Sequence, residues 1–248
     1  MKSLSQLKVK IFADGADKKG MLEMYANPCV KGFTTNPTLM RKANIADYEA
    51  FAVDILSVIQ DKPISFEVFS DDFHEMYEQA KFIASWGKNV YVKIPVSNTK
   101  GEPAYLLIQK LAKANVKQNV TALMTLDQVK EVTRALAEGP AACISVFAGR
   151  IADTGRDPLP MMSAALNIMS AYPQLELIWA SPRELLNIFQ SDEIGCHIIT
   201  ATNDIINKLS LVGKDLAEFS LETVKMFRQD ALAARFELNV DNVLAEAL

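Results

Sequence analysis

The sequence predicts a single (β/α)8 barrel with an additional C-terminal helix, and three observations carry that expectation. Short apolar runs recur eight times, segments of helical period separate them, and no linker or low-complexity stretch divides the 248 residues. The runs that read as strands are residues 10–13, 30–33, 64–68, 90–94, 116–120, 142–147, 175–180 and 196–200. Between them lie amphipathic stretches at 45–60, 73–86, 103–114, 125–137, 159–172 and 182–189. Punctuating residues stand at the joints: Gly87, Gly101, Gly139-Pro140, Tyr172-Pro173 and Gly195. Eight strand–helix units in about 200 residues favour closure of a parallel sheet into a barrel. A doubly wound open sheet is the alternative, but no GxGxxG follows any strand, so its usual phosphate loop is missing. One more helical pattern, at about 221–238, is expected to pack outside the barrel or on a neighbouring subunit, and residues 1–248 are read as one domain.

Composition narrows the function classes. Half of the residues are hydrophobic and 23% are charged, which is ordinary for a globular chain with a sizeable core. The net charge is −4 with acids and bases interspersed, so the positive footprint of a nucleic-acid partner is lacking. No signal-peptide-like stretch opens the chain and no long apolar run suits a membrane span. Cys29, Cys143 and Cys196 lie far apart with no CxxC pair, as expected of reduced thiols in a cytoplasmic protein. His74 and His197 are the only histidines, an inventory that argues against a histidine-based zinc site and against a Ser-His-Asp triad. Met161, Met162 and Met169 read as helix packing.

In a barrel of this type chemistry gathers at the C-terminal ends of the strands. There the sequence delivers Asp14, Thr34-Thr35-Asn36, Glu67, Lys93, Asn119 and Thr121, Ser145, Phe147 and Arg150, Ser181 and Arg183, and finally Thr200. Lys93 is the sharpest case. In Val90-Tyr91-Val92-Lys93-Ile94 the period of two puts the aliphatic residues against the helices and turns Tyr91 and Lys93 inward. Loss of hydration there favours the free amine, the form that attacks a carbonyl; the competing reading is an ammonium paired with a carboxylate. Glu67 also faces inward, either to shuttle protons or to form that ion pair. Asp14 reads equally as a helix cap or a catalytic acid, and Asn36-Pro37 as a cap followed by a first turn. Arg150 and Arg183 suit either a phosphate clamp or the solvated surface.

These residues fall in motifs that resemble the transaldolases and the fructose-6-phosphate aldolase-like enzymes. The motifs are Phe12-Ala13-Asp14, Gly32-Phe33-Thr34-Thr35-Asn36-Pro37, Val92-Lys93-Ile94-Pro95, Asn119-Val120-Thr121, Ser145-Val146-Phe147-Ala148-Gly149-Arg150 and Ala180-Ser181-Pro182-Arg183. The resemblance runs from about residue 10 to 238. It implies a metal-free, cofactor-free enzyme whose Lys93 forms a Schiff base with a ketose phosphate and passes a dihydroxyacetone unit to an aldose phosphate. It further implies that Asp14 takes the proton of the C4 hydroxyl, and that Glu67 and Thr121 hold and activate a water. Thr34, Asn36, Asn119 and Phe147 would border the three-carbon unit, and Ser145, Arg150, Ser181 and Arg183 the phosphate. Glu67 and Phe147 stand where the aldolase-like members carry Gln and Tyr, which favours transfer over simple aldol cleavage, the alternative activity. Two departures concern the ends of the site: Asp14 is followed by Gly15 rather than Thr or Ser, and Pro182 replaces a frequent aromatic beside Arg183. The second leaves open a differently phosphorylated or sulfonated ketose. A non-catalytic barrel binding sugar phosphates is the alternative from another class. The resemblance also implies a cytoplasmic homo-oligomer of the pentose phosphate pathway.

Overall fold

The computed structural model describes residues 2–238. They fall into two compact units, Lys2–Leu209 and the segment that begins at Ser210. In the first unit eight parallel strands pair in chain order and β1 pairs with β8, which closes the barrel. The strands are β1 (Lys10–Asp14), β2 (Val30–Thr34), β3 (Ile64–Glu67), β4 (Val90–Pro95), β5 (Gln118–Leu123), β6 (Ala142–Val146), β7 (Leu175–Ala180) and β8 (Ile198–Ala201). The helices between and after them are α1 (Lys18–Ala26), α2 (Pro37–Lys42), α3 (Tyr48–Val58), α4 (Phe73–Ala84), α5 (Tyr105–Lys113), α6 (Leu126–Leu136), α7 (Ala148–Ala152), α8 (Leu159–Met169), α9 (Leu186–Glu193) and α10 (Asn203–Asn207). The second unit carries α11 (Leu216–Ala233).

Local chemistry explains where the elements begin. Carboxylates cap α1, α3 and α4, where Asp17 accepts from the Gly20 amide, Asp47 from Ala50, and Asp72 from His74 and Glu75. Thr125 and Gln128 form a reciprocal capping box at the start of α6. Strand residues are buried on both faces, at every position in β6 and β8, as covering helices require. The outward faces join the helices in one large apolar cluster, while Phe12, Cys143, Ile178, Ala180 and Ile198 pack inside the barrel with Tyr91 and Phe147. Gly32 makes that interior possible, because a Cβ there would lie 2.5 Å from the Phe12 ring.

All eight expected strands are present, and two of them start two residues later than expected. β5 starts at Gln118 rather than at 116, and β8 at Ile198 rather than at 196. Both errors have one cause. Val116 and Cys196 are buried apolar residues that finish a helix: Asn115 and Gly195 take positive φ, and the amides of Val116 and Cys196 reach back to Leu111 and Ser191. Phe147, read as the last residue of β6, is instead the N-cap residue of α7. Helix α9 runs later than the expected 182–189, because the Asn187 side chain accepts from the amides of Arg183 and Glu184 and holds them in the loop. The C-terminal helix spans Leu216–Ala233 instead of about 221–238. Asp215 caps its start, and Arg235 at φ 54° ends it, with the Phe236 amide bonded back to Ala231.

Candidate active site

The C-terminal ends of the strands surround a cavity of about 440 Å³. Asp14, Thr34, Asn36, Glu67, Lys93, Asn119, Thr121, Ser145, Phe147, Arg150 and Ser181 line it, joined by Pro37, Thr38, Ala122, Ala180 and Thr200. Of the residues given a role by the resemblance only Arg183 is missing from this wall.

Lys93 sits at its centre. Its side chain is 8% exposed, and Nζ donates to the Thr35 carbonyl at 2.8 Å while lying 3.1 Å from Glu67 Oε2. The parallel register pairs Glu67 with Lys93 directly across β3 and β4, which makes the ion pair a consequence of the sheet. The amine is therefore inward, as the strand period predicts, and it is paired with the carboxylate. Tyr48, which sequence reasoning missed, fixes the carboxylate's backbone. Its hydroxyl donates to the Glu67 carbonyl and accepts from the Glu67 amide, both at 2.8 Å. Burial pushes that phenol well above its usual range, so it stays a neutral donor.

Asp14 does not cap a helix; Asp17 does. Its partner is Thr34 Oγ1, which donates to Asp14 Oδ1 at 2.7 Å across the β1–β2 register. Burial raises the Asp14 pKa, opposed by the Lys93 charge and the Thr34 hydrogen bond. Asn36 is both a cap and a cavity residue: its Oδ1 accepts from the Leu39 amide at 2.9 Å and Pro37 opens α2. Asn119 is held from two sides, donating to Ser65 Oγ at 3.0 Å and accepting from Ser145 Oγ at 2.7 Å. Thr121 Oγ1 is buried with no protein partner. The next residue, Ala122, adopts φ 68° at an irregularity of the β5–β6 pairing. Ser181 is likewise left-handed, at φ 57°. Backbone strain of this kind in non-glycine residues clusters at functional rims.

In the same wall the Arg150 guanidinium lies 5.7 Å from the centre of the Phe147 ring. Arg183 turns away from the wall, to Asp153 and to the Ser181 carbonyl. Asp153 is the second residue the sequence reading missed; its one signal was its place three residues after Arg150. Among the described residues no group of three or more His, Cys, Asp and Glu side chains is placed to hold a metal ion. No helix of the described residues is long and apolar enough to cross a membrane.

Fold and site together define a (β/α)8 protein in which a lysine–carboxylate pair and an arginine line one cavity. Residues 11–248 match the family model described as Transaldolase/Fructose-6-phosphate aldolase, and the chain belongs to this family of enzymes. A probable transaldolase of Methanococcus maripaludis is 32% identical over 202 residues, covering 81% of this chain and 89% of its own. One from Thermoanaerobacter is 31% identical over 218 residues, covering 88% and 95%. Among solved structures, a 3-hexulose-6-phosphate synthase superposes with a TM-score of 0.57 at 16% identity, over 81% of this chain and 92% of that one. The structure titled KGPDC from Streptococcus mutans gives 0.55 at 14% identity, over 82% and 91%. At such identities these two speak for the barrel alone.

Proposed function

We propose that the protein is a transaldolase that moves a dihydroxyacetone unit from a ketose phosphate to an aldose phosphate through a Schiff base on Lys93. The observation that carries this reading is the placement of Lys93 Nζ among Glu67, Asp14 and the unpartnered Thr121 hydroxyl in one cavity. The Lys93 amine adds to the C2 carbonyl of the ketose. Glu67 relays the protons that turn the carbinolamine into an iminium and release water, with Thr121 Oγ1 orienting the water involved. The iminium is an electron sink: when Asp14 takes the C4 hydroxyl proton, the C3–C4 bond breaks, the aldehyde leaves and an enamine remains on Lys93. The enamine then attacks the acceptor aldehyde, Asp14 returns its proton, and hydrolysis frees Lys93. Asn36 and Asn119 hold the three-carbon unit, and Arg150 with Ser145 and Ser181 holds the phosphate end. Glu67 and Phe147 support transfer over simple cleavage, by the resemblance drawn above.

We further place this activity in the pentose phosphate pathway of the cytoplasm and in a homo-oligomer. The three free cysteines support the compartment. The exposed Leu216, Val224 and Phe227 of α11 support self-association.

The test is reductive trapping. Borohydride added with fructose 6-phosphate is expected to leave one covalent adduct, found on Lys93 by peptide mapping. Lys93→Met is expected to abolish adduct and transfer together while remaining folded. An adduct on another lysine, or transfer retained in the variant, would falsify the Schiff-base assignment.

A further inference from the structure

Arg183 forms an unusual closed set of bonds just outside the cavity. Its Nε donates to Asp153 Oδ1 at 2.8 Å, its Nη2 donates to Asp153 Oδ2, and its Nη1 donates to the Ser181 carbonyl at 3.1 Å. The backbone amide of Arg183 donates to Asn187 Oδ1 at 2.8 Å, so the backbone that carries the side chain is held as well. A bidentate carboxylate of this geometry satisfies the same face of the guanidinium that a phosphate group would occupy. Asp153 follows α7 directly, and the charges of both arginines act on it. Hydrogen bonding from Arg183 holds its carboxyl below the usual range against the opposing effect of burial, and the Arg183 and Arg150 charges add to the lowering. The two guanidiniums and one carboxylate at this end of the barrel sum to a single positive charge, and only Arg150 reaches the cavity wall there.

We propose that Asp153 is a specificity-determining residue: it occupies Arg183 and cancels its charge, so that the cavity meets the anionic end of a substrate with Arg150 alone. Such a subsite matches a terminal group bearing one negative charge and gains little from a second. The inference rests on the reading that this cavity takes a ketose with an anionic end. It makes the bidentate pair a filter on charge.

The experiment uses two unreactive probes that differ by one charge, glucitol 6-phosphate and its methyl phosphodiester, bound to the full chain at pH 8 and followed by calorimetry. Wild-type protein is expected to prefer the dianion by less than about threefold. Asp153→Asn keeps the shape, frees Arg183 and is expected to raise that preference to about tenfold or more, the gain of one charge-assisted contact. In Asp153→Asn combined with Arg183→Ala the gain is expected to vanish, which a general loosening of the loop would not produce. A wild-type preference already above about tenfold, or an unchanged ratio in Asp153→Asn, overturns the proposal. So does failure of both probes to bind, and trapping with uncharged dihydroxyacetone then separates the causes. An adduct on Lys93 leaves the Schiff-base reading standing with the charge filter lost, whereas no adduct removes both.

Discussion

Asp14 shows how one side chain is shaped by opposing forces. Desolvation raises its pKa, and Lys93 and Thr34 restrain the rise without cancelling it. Its folded-state value therefore lies above that of the unfolded chain, and the folded protein holds the proton more tightly. As pH rises from the unfolded value of about 3.9 to the folded one, stability falls, and above that window the deficit is constant. Asp14→Asn is accordingly expected to melt higher than wild type at pH 7, with the advantage shrinking toward about pH 3.9. Turnover should fall by about 10²–10⁴, as for a lost general acid or base. In the wild type the acid limb of the rate profile should lie above the usual carboxylate range. Equal melting temperatures at neutral pH would show that burial costs this carboxylate nothing.

At the scale of elements, the site depends on how closely two loops approach. Gly149, in the first turn of α7, faces the end of β7: a Cβ there would lie 1.6 Å from the Ser181 carbonyl oxygen and 2.7 Å from its carbon. Those atoms are backbone of a residue already at φ 57°, so they have little room to yield. Gly149→Ala is expected to push α7 from β7, moving Arg150 and Ser181 apart. We expect a loss of about 1–3 kcal/mol in urea unfolding, as for other forced overpacking. The KM for a phosphorylated ketose should rise at least about tenfold, since misplacements of an ångström weaken positioning strongly. A folded variant with unchanged KM would mean that the approach serves packing alone.

For the whole molecule, closure of the barrel needs the first strand to meet the last. Asp192, at the end of α9 shortly before β8, accepts from the amides of Lys8 and Val9 just ahead of β1, at 2.6 and 2.9 Å. Lys2 Nζ adds an ion pair at 2.7 Å. Burial works to raise the carboxyl's pKa, but the Lys2 and backbone hydrogen bonds outweigh it and leave the group lowered. Its contribution is thus present above about pH 3.9 and is lost as pH falls through the folded value. Asp192→Ala strands two amides at the seam and is expected to cost about 2–4 kcal/mol, measured by denaturant titration at pH 7. The difference from wild type should narrow in acid. Transfer per folded molecule should stay the same, because the seam lies at the N-terminal mouth, away from Lys93.

The sequence by itself determined the barrel, the inward face of β3 and β4 and most of the cavity wall. Those features follow from a period of two in the strands, helical periods between them and polar residues at the strand ends, all local and repeated. Lys93, flanked by Val92 and Ile94, could be assigned its direction from neighbours alone. Tertiary structure decided what neighbours cannot specify. It made Val116 and Cys196 helix closures rather than strand starts, because a buried apolar residue after a left-handed one satisfies either role in sequence. It set the Glu67–Lys93 pair through the register of two strands, and clamped Glu67 with Tyr48 from a helix 19 positions earlier. It also joined Arg183 to Asp153 across 30 residues, taking an arginine out of the wall where its motif pointed. Such partnerships depend on how distant loops pack against each other, and no local period records that geometry.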